Sequence, residues 1–155
     1  MILVLCGTNP YSFERLVKAV DILALELDTK ILIQLGNTEY KPQNCEYFDF
    51  IERKQLTQYM KNADFIITQG GFGSISECLT LGKKIIAVPR RVELNECVDN
   101  QDELVKFLEQ KKLLVGVYDC EKLLEGIFRL NSVKKYKKKY NHVAEYISEY
   151  INNFF

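Results

Sequence analysis

A glycine-rich segment near the middle of the chain, residues 70–74 with the sequence Gly-Gly-Phe-Gly-Ser, has the composition of a loop that binds an anion. It follows a strand-like run at 65–68 and precedes residues with helical spacing. Glycines let a ligand approach the backbone, and the free N–H groups at a helix start favour a phosphate or diphosphate. Residues 7–12, Gly-Thr-Asn-Pro-Tyr-Ser, form a second such loop. A tight turn that binds nothing is the alternative interpretation of the glycine-rich segment.

Other phosphate-binding motifs do not fit this segment. No Gly-Lys-Ser/Thr sequence follows it, which excludes a P-loop, and Ser76 stands where the dinucleotide-binding fingerprint needs its third glycine. The later pair Gly82-Lys83 lies at the far end of the predicted helix, where a glycine is typical of a C-cap. The segment therefore predicts an anion site without identifying the ligand.

Polar residues near the glycine loops could bind the rest of a ligand. Glu77 lies one helical turn after the last glycine and could accept hydrogen bonds from the hydroxyls of a ribose, although a solvent-facing side chain is an equal alternative. Asn100 and Gln101 belong to an amide-rich and carboxylate-rich run, residues 99–103, that could bind sugar hydroxyls. Asn100 followed by Glu103 also fits a capping box, which would need no ligand.

These loops need a scaffold in which strands and helices alternate. Apolar runs predict strands at 1–6, 30–35, 45–50, 64–68, 84–88 and 113–118, and helical spacing predicts helices at 12–27, 55–62, 74–81 and 100–111. Such alternation is typical of an α/β protein with a Rossmann-like parallel sheet and helices on both faces. In that fold ligands bind at the carboxyl ends of the strands, where both glycine loops lie.

The composition restricts the classes of protein that remain. The 155 residues are 47% hydrophobic and 27% charged, which is typical of one globular domain. The 21 Lys and Arg balance the 21 Asp and Glu, so the net charge does not favour nucleic acid as a partner. The apolar runs are far shorter than the roughly 20 residues that cross a bilayer, and the start lacks a signal-peptide pattern. We therefore expect a cytoplasmic protein whose five cysteines are reduced thiols.

The carboxyl-terminal residues 131–155 differ from residues 1–130 and predict a separate amphipathic helix. Its apolar seam consists of residues spaced three and four apart, namely Val133, Tyr136, Tyr140, Val143, Ile147, Tyr150 and Phe154. This seam packs either on the domain itself or on another chain, and we expect it to join the chain to a partner. The lysine-rich run at 134–139 is either a solvated face or a contact with acidic lipid headgroups. The only histidine, His142, lies in this tail and is not assigned a catalytic role.

Two runs carry a family resemblance. Residues 64–91 contain Thr-Gln-Gly-Gly-Phe-Gly-Ser-Ile-Ser-Glu and Val-Pro-Arg-Arg, and residues 99–104 read Asp-Asn-Gln-Asp-Glu-Leu. Together with Gly7-Thr8, Phe13 and Arg15 near the start, they resemble the carboxyl-terminal domain of family 28 glycosyltransferases. The resemblance is closest to single-domain members, the sugar-nucleotide-binding subunits of split two-chain transferases. These include the dolichyl or polyprenyl diphosphate GlcNAc transferase subunit and PssE-like subunits of polysaccharide assembly.

The resemblance implies which residues bind a UDP-sugar. The diphosphate would lie against the two glycine loops, at Thr8, Gly71, Phe72, Gly73 and Ser74. Glu77 would bind the ribose, Gln101 the donor sugar next to Asn100, and the backbone of Ile51 the uracil. Many members carry His where Gln69 and Asn100 stand here. An amide donates hydrogen bonds but carries no charge, which argues against an acid or base role at position 69.

The resemblance further implies the carboxyl-terminal half of a GT-B glycosyltransferase, with the other half supplied by a second chain. On this interpretation the chain is the donor-binding subunit of an inverting glycosyltransferase. It would bind UDP-GlcNAc, UDP-Gal or UDP-GlcA without metal or cofactor, while a membrane-anchored partner binds a lipid-linked acceptor at the inner face of the membrane. The main alternative is a non-catalytic scaffold that stabilises such a partner. A dinucleotide-dependent oxidoreductase is disfavoured because the glycine loop follows the fourth strand rather than the first.

Overall fold

The structure is a computed structural model that describes residues 1–136 and 143–154. Its strands are Ile2–Leu5 (β1), Ile31–Gln34 (β2), Glu46–Phe48 (β3), Phe65–Gln69 (β4), Ile85–Val88 (β5) and Val115–Gly116 (β6). They form one parallel sheet in the order β3-β2-β1-β4-β5-β6. The predicted Rossmann-like sheet is therefore confirmed.

The helices cover both faces of this sheet, as the sequence predicts. They are Glu14–Leu23 (α1), Arg53–Asn62 (α2), Phe72–Thr80 (α3), Asp102–Gln110 (α4), Leu123–Arg129 (α5) and Val143–Phe154 (α6). Helices α1 and α5 contribute to the core on one face, and α2, α3, α4 and α6 contribute to the core on the other. Within residues 1–136 and 143–154, no helix has the length and apolar character needed to span a bilayer.

Alternation along the central strand divides the core into two layers. In β1, Val4 packs on the face that α1 covers, where it meets residues such as Val17. Its neighbours Leu3 and Leu5 belong to the opposite core, together with Ile75 of α3. Successive side chains of a strand point to opposite faces, and a parallel sheet buries both of them. A continuous apolar strand is therefore what the centre of this sheet requires.

The strand order places the two glycine loops side by side. Strands β1 and β4 are neighbours, but the chain leaves β1 toward α1 on one face and leaves β4 toward α3 on the other. A sheet of this kind has a crevice at the carboxyl ends of such a strand pair. Gly7 has a φ of 81° and Gly36 a φ of 58°, and a β-carbon on Gly36 would clash with the carbonyl oxygen of Gly7. The glycines thus allow the loops after β1 and β2 to pass each other closely.

The end of α3 confirms the predicted C-cap. Gly82 has a φ of 67°, its N–H donates to the carbonyl of Leu79, and the N–H of Lys83 donates to that of Cys78. These two bonds make a Schellman motif, in which a left-handed glycine ends the helix. Gly82-Lys83 is consequently a helix stop.

The start of α3 differs from the prediction by two residues. The helix begins at Phe72 rather than at Ser74, and Gly71 is its N-cap. The prediction relied on the spacing of apolar residues in this helix more than on its N-cap, so it did not recognise the bulky residue at the first helical position as the start. The consequence is that residues 72–74 form the first helical turn and not a loop in front of it.

The predicted carboxyl-terminal helix is present as α6, but the described residues 133–136 do not belong to it. Val133 has an extended backbone with a ψ of 130°, and helix α6 begins only at Val143. Helix α5, which the sequence analysis missed, precedes this break. The three-and-four spacing of apolar residues therefore includes residues 133–136, which are not helical. Tyr140, His142 and the lysines at 137–139 lie outside the described residues.

The described seam residues contact the domain itself. Val133 packs on the core beside α1, whereas Tyr136 and Ile147 pack on the core beside α3. The ring of Tyr150 lies 4.5 Å from that of Phe107 in α4, measured between centroids. These contacts support the intramolecular alternative for this part of the seam. The division into residues 1–130 and 131–155 stays a prediction.

Candidate anion-binding site

A cavity of about 690 Å³ opens at the carboxyl edge of the sheet, where β1 and β4 end. Its walls come from the loop after β1, from α2 and from the start of α3. Five residues predicted to bind the donor line it, namely Thr8, Gly71, Gly73, Ser74 and Glu77. The fold thus brings both glycine loops and the acidic residue of α3 to one cavity.

The first turn of α3 presents unused N–H groups to this cavity. Gly71 is extended at the N-cap, with a φ of −75° and a ψ of 140°, and no side chain caps the helix. The N–H groups of the first helical turn have no acceptor within a helix, and the helix dipole adds partial positive charge there. The Phe72 side chain is exposed and does not cover this turn. An anion is therefore the ligand that this end of α3 favours.

Glu77 lies on the cavity wall and is held there by a residue that the sequence analysis missed. Arg53, in the first turn of α2, donates a hydrogen bond of 3.2 Å from Nη2 to Glu77 Oε1. The Glu77 side chain is 25% exposed and that of Arg53 is 82% exposed, so the pair bridges α2 and α3 at the cavity rim. The carboxylate keeps a free oxygen lone pair with which to accept from a hydroxyl. No local sequence signal links two residues that are 24 positions apart.

Arg90 is a fully buried arginine that lies beneath the site. Its guanidinium donates to Gln69 Oε1 and to four backbone carbonyls, those of Cys6, Tyr11, Ser12 and Glu96. All five acceptors are uncharged, and an arginine keeps its proton even when burial lowers its pKa, as it does here. A positive charge therefore lies below the glycine loops, which favours an anion above them.

The loop after β5 is fixed by a second arginine. Arg15 of α1 donates two hydrogen bonds of 2.9 Å to the Glu96 carboxylate, from Nε and Nη2. Glu96 also accepts from the backbone N–H of Arg91 at 3.0 Å. Two-point arginine–carboxylate pairs are geometrically specific, and this one is largely buried. The pair holds the segment that carries Arg90 at one end and Gln101 at the other.

Two amide side chains, those of Asn100 and Gln101, are predicted to bind the donor sugar. Of these two, Gln101 lies beside the glycine-rich segment. Its Oε1 accepts from the N–H of Arg90 at 3.0 Å, and its Nε2 would lie 3.5 Å from a β-carbon at Gly71. Asn100 is exposed, and its Oδ1 accepts from the N–H of Val92 at 3.1 Å. The capping-box alternative is wrong, because Gln101 is the N-cap of α4 and no side chain caps that helix.

The predicted uracil contact lies in the segment that precedes α2. Ile51 is half-buried, two residues before α2, and does not belong to the cavity lining. Its neighbour Phe50 exposes about half of its side chain. Ile51 is two residues before Arg53, which lines the cavity, and its contact with uracil stays a prediction.

Among the described residues, the charged side chains that line the cavity are those of Arg53 and Glu77. Burial raises the pKa of the Cys6 thiol to about 12 against the opposing effect of Arg90, so this thiol is neutral and inert. Within the described part of the chain, no group of three His, Cys, Asp or Glu side chains is arranged to hold a metal. The cavity offers N–H donors for an anion and one carboxylate for hydroxyls.

Comparisons with known proteins agree with this arrangement. The model of the glycosyltransferase family 28 C-terminal domain matches residues 1–151. Sequence comparison with curated proteins gives no match. Among solved structures, the chain is similar to MurG from Acinetobacter baumannii, with a TM-score of 0.58 and 18% identity over 85% of this chain and 42% of MurG. It is also similar to the glycosyltransferase SnogD from Streptomyces nogalater, with a TM-score of 0.59 and 20% identity over 83% of this chain and 33% of SnogD.

The calicheamicin glycosyltransferase CalG4 is a further structural neighbour, with a TM-score of 0.59 and 15% identity over 86% of this chain and 37% of CalG4. The chain thus spans less than half the length of each of these structures. At such identities the likeness shows the fold, which is that of the carboxyl-terminal half of GT-B glycosyltransferases. Because the family model covers nearly every residue, the chain belongs to the family of glycosyltransferase family 28 C-terminal domains.

Proposed function

We propose that this domain binds the nucleotide-sugar donor of a glycosyltransferase, with UDP as the nucleotide. One observation carries the proposal: the uncapped first turn of α3 and the carboxylate of Glu77 line the same cavity. Gly73 and Glu77 are four residues apart, a rise of about 6 Å along the helix. This spacing suits a ligand with a diphosphate at one end and ribose hydroxyls at the other.

The chemistry that the site supports is stabilisation of the leaving group. When the bond between the anomeric carbon of the sugar and the UDP oxygen breaks, negative charge develops on the diphosphate. The N–H groups at residues 72–74 and the positive end of α3 stabilise that charge without any proton transfer. A single displacement by an acceptor hydroxyl inverts the anomeric configuration. The base that takes the hydroxyl proton comes from outside this cavity, since Glu77 is committed to the ribose.

The proposal extends to a second chain that supplies the acceptor. The resemblance to single-domain subunits supports a membrane-anchored partner that binds a lipid-linked acceptor and completes the cleft. The donor is UDP-GlcNAc, UDP-Gal or UDP-GlcA, and we assign the discrimination between these sugars to Gln101; its position beside Gly71 supports this assignment. Recruitment to the inner face of the membrane would then occur through the partner.

Isothermal titration of the chain with UDP tests the donor-binding proposal. We expect saturable, weak binding, because one half of a cleft leaves the sugar's other face in water. Binding should persist in EDTA, because the ligand is held by N–H donors. Uridine, which lacks the diphosphate, should bind at least tenfold more weakly than UDP. A chain that binds UDP no better than uridine contradicts the proposal.

A transfer assay separates donor binding from a scaffold role. The scaffold alternative is favoured by the uncharged Gln69 and Asn100, where many family members carry His. A non-catalytic scaffold would restore the activity of its partner without binding UDP itself. For a donor-binding subunit, sugar transfer by the reconstituted pair should fall in proportion when Glu77→Ala weakens UDP binding. Transfer that is unaffected by this substitution would favour the scaffold.

A further inference from the structure

Two glutamine side chains flank Gly71 at the start of α3. Gln69 ends β4 and is 8% exposed, and Gln101 is the N-cap of α4. A β-carbon at position 71 would lie 3.3 Å from Nε2 of Gln69 and 3.5 Å from Nε2 of Gln101. Two side chains from different elements therefore bring their amide nitrogens to one glycine.

One residue binds the oxygens of both amides. Arg90 donates from Nε to Gln69 Oε1 at 2.7 Å and from its backbone N–H to Gln101 Oε1 at 3.0 Å. A guanidinium and a backbone N–H are donors only, so each amide must present its oxygen to Arg90. The NH2 group of each amide is consequently turned away from Arg90. That of Gln69 lies between Gly7 and Gly71, where a β-carbon on Gly7 would clash with it, and that of Gln101 lies beside Gly71.

These two NH2 groups make no hydrogen bond within the described part of the chain. Within residues 1–136 and 143–154, Nε2 of Gln69 and Nε2 of Gln101 donate to no protein acceptor. Gln69 is more than nine-tenths buried and lines the cavity. Neither Nε2 is among the buried side-chain atoms that lack a partner, so both nitrogens are accessible to solvent and to an accepting ligand oxygen. The pair of donors thus points to a ligand oxygen beside Gly71.

Arg90 cannot turn to exchange its partners. It is 1% exposed, and its guanidinium lies 4.4 Å from the centroid of the Phe13 ring. Its terminal nitrogens are occupied by the backbone carbonyls of Cys6 and Glu96 and of the loop at 11–12. The orientation of Nε toward Gln69 is therefore a consequence of packing on three other elements.

We propose that Arg90 is a positioning residue. It fixes the orientation of the Gln69 and Gln101 side-chain amides, so that the NH2 groups of both donate hydrogen bonds to the nucleotide-sugar bound beside Gly71. The inference rests on the proposed function, because the ligand oxygens that accept belong to the sugar diphosphate. Arg90 itself does not reach the ligand.

This arrangement predicts which substitutions of Gln69 keep both of its hydrogen-bonding functions. A neutral imidazole has one acceptor nitrogen and one N–H donor, so Gln69→His preserves both functions. A carboxylate accepts from Arg90 but offers no donor toward Gly71, so Gln69→Glu preserves only one. If Gln69 had only a structural role, the affinity of the two variants for UDP would follow how well each side chain fits. If Gln69 is positioned to donate, Gln69→Glu keeps its stability but loses affinity for UDP.

The first experiment measures the pKa of the imidazole in ligand-free Gln69→His by NMR. The parent chain contains His142 as its only histidine, so the second imidazole signal is assigned directly. Charged and titratable groups around Arg90 are the thiols of Cys6 and Cys97, the carboxylate of Glu96 and the guanidinium of Arg15. Because Glu96 is paired with Arg15, the charge that the imidazole meets is that of Arg90. We expect a pKa at least about one unit below the ordinary 6.5.

Two controls separate the effect of Arg90 from that of burial. Asn100→His places an imidazole at an exposed position in the loop between β5 and α4, where the pKa should stay near 6.5. In the double variant Gln69→His with Arg90→Met, the pKa should rise by about one unit relative to the single variant, because the positive charge is gone. A pKa that stays depressed in the double variant would mean that burial alone lowers it, and the proposal would be overturned.

The second experiment needs no substitution of Arg90 and uses UDP as the probe. Gln69→Glu should melt at the temperature of the parent or above it, yet bind UDP at least about tenfold more weakly. Gln69→His should bind UDP within about threefold of the parent. If Gln69→Glu binds UDP as well as the parent, the positioning role is wrong. If the parent itself fails to bind UDP while the imidazole pKa responds to Arg90, the proposed function fails and the assigned orientation of the amides stands.

Discussion

Glu77→Ala tests whether the carboxylate on α3 binds the ribose of a nucleotide. In the ligand-free structure this carboxylate accepts a hydrogen bond from Arg53 at 3.2 Å, and the Arg53 side chain is 82% exposed. An ion pair with so exposed a partner contributes about 0–1 kcal/mol to stability. The free energy of unfolding should therefore change little, and the variant should fold and melt much like the parent.

The affinity for UDP should respond more strongly to the same substitution. Removing the carboxylate leaves the ribose hydroxyls without their charged acceptor, which costs about 1–3 kcal/mol. This corresponds to a rise in Kd of about 5- to 150-fold, which isothermal titration at 25 °C resolves. Glu77→Gln retains one carbonyl acceptor and should fall between the parent and the alanine variant.

Glu14→Ala is the matched control for this substitution. Glu14 is also a helical glutamate with an ion pair at 3.2 Å, to Lys18, but it lies in α1 and outside the cavity lining. It should bind UDP with the affinity of the parent. A Glu77→Ala variant that melts normally and binds UDP as tightly as Glu14→Ala would refute the assignment of Glu77 to the ribose.

Four further outcomes follow from the packing and the charges. Gly73→Ala should raise the free energy of unfolding by about 0.5–1 kcal/mol in thermal denaturation, since an added β-carbon meets nothing within 4 Å, while weakening UDP binding at the cavity wall. Gln101→Ala should reduce discrimination between UDP-sugars more than affinity for UDP. If titrations show equal losses of affinity for UDP and for UDP-sugars, Gln101 does not bind the sugar. Ile147 is 9% exposed, so Ile147→Ala should cost about 2 kcal/mol or more in denaturant unfolding, whereas a partner-facing side chain would cost almost nothing. Burial raises the pKa of Asp21, but hydrogen bonds from the backbone at 43–44 outweigh it and leave the pKa below its ordinary value. The stability from this carboxylate is present above about pH 4 and lost as pH falls through the lowered pKa, so the destabilisation by Asp21→Asn should shrink in acid unfolding curves.

Local patterns along the chain were sufficient to predict the six strands, helices α1 to α4 and the presence of a helix after the glycine-rich segment. Strand β1 is a continuous apolar run because both faces of a parallel sheet are buried, and Gly82 ends α3 because its φ of 67° suits a residue without a β-carbon. Both signals are carried by neighbouring residues. The same reasoning failed for the tail, where a regular apolar spacing continued through the extended residue Val133. The spacing of apolar residues indicates which residues are buried, but it does not indicate whether the chain between them is helical.

Sequence alone determined that the segment at 70–74 opens a helix and favours an anion, because glycines and free N–H groups act over a few residues. Tertiary structure alone decided what surrounds that segment. Arg90 reaches Gln69 over 21 positions and Gln101 over 11, and Arg53 reaches Glu77 over 24. These contacts exist because the strand order places the ends of β1, β4 and β5 side by side, with α2 and α3 around them. The orientation of the two glutamine amides likewise depends on the packing that places the Arg90 guanidinium against Gln69 and the Arg90 backbone N–H against Gln101, which no spacing in the sequence encodes.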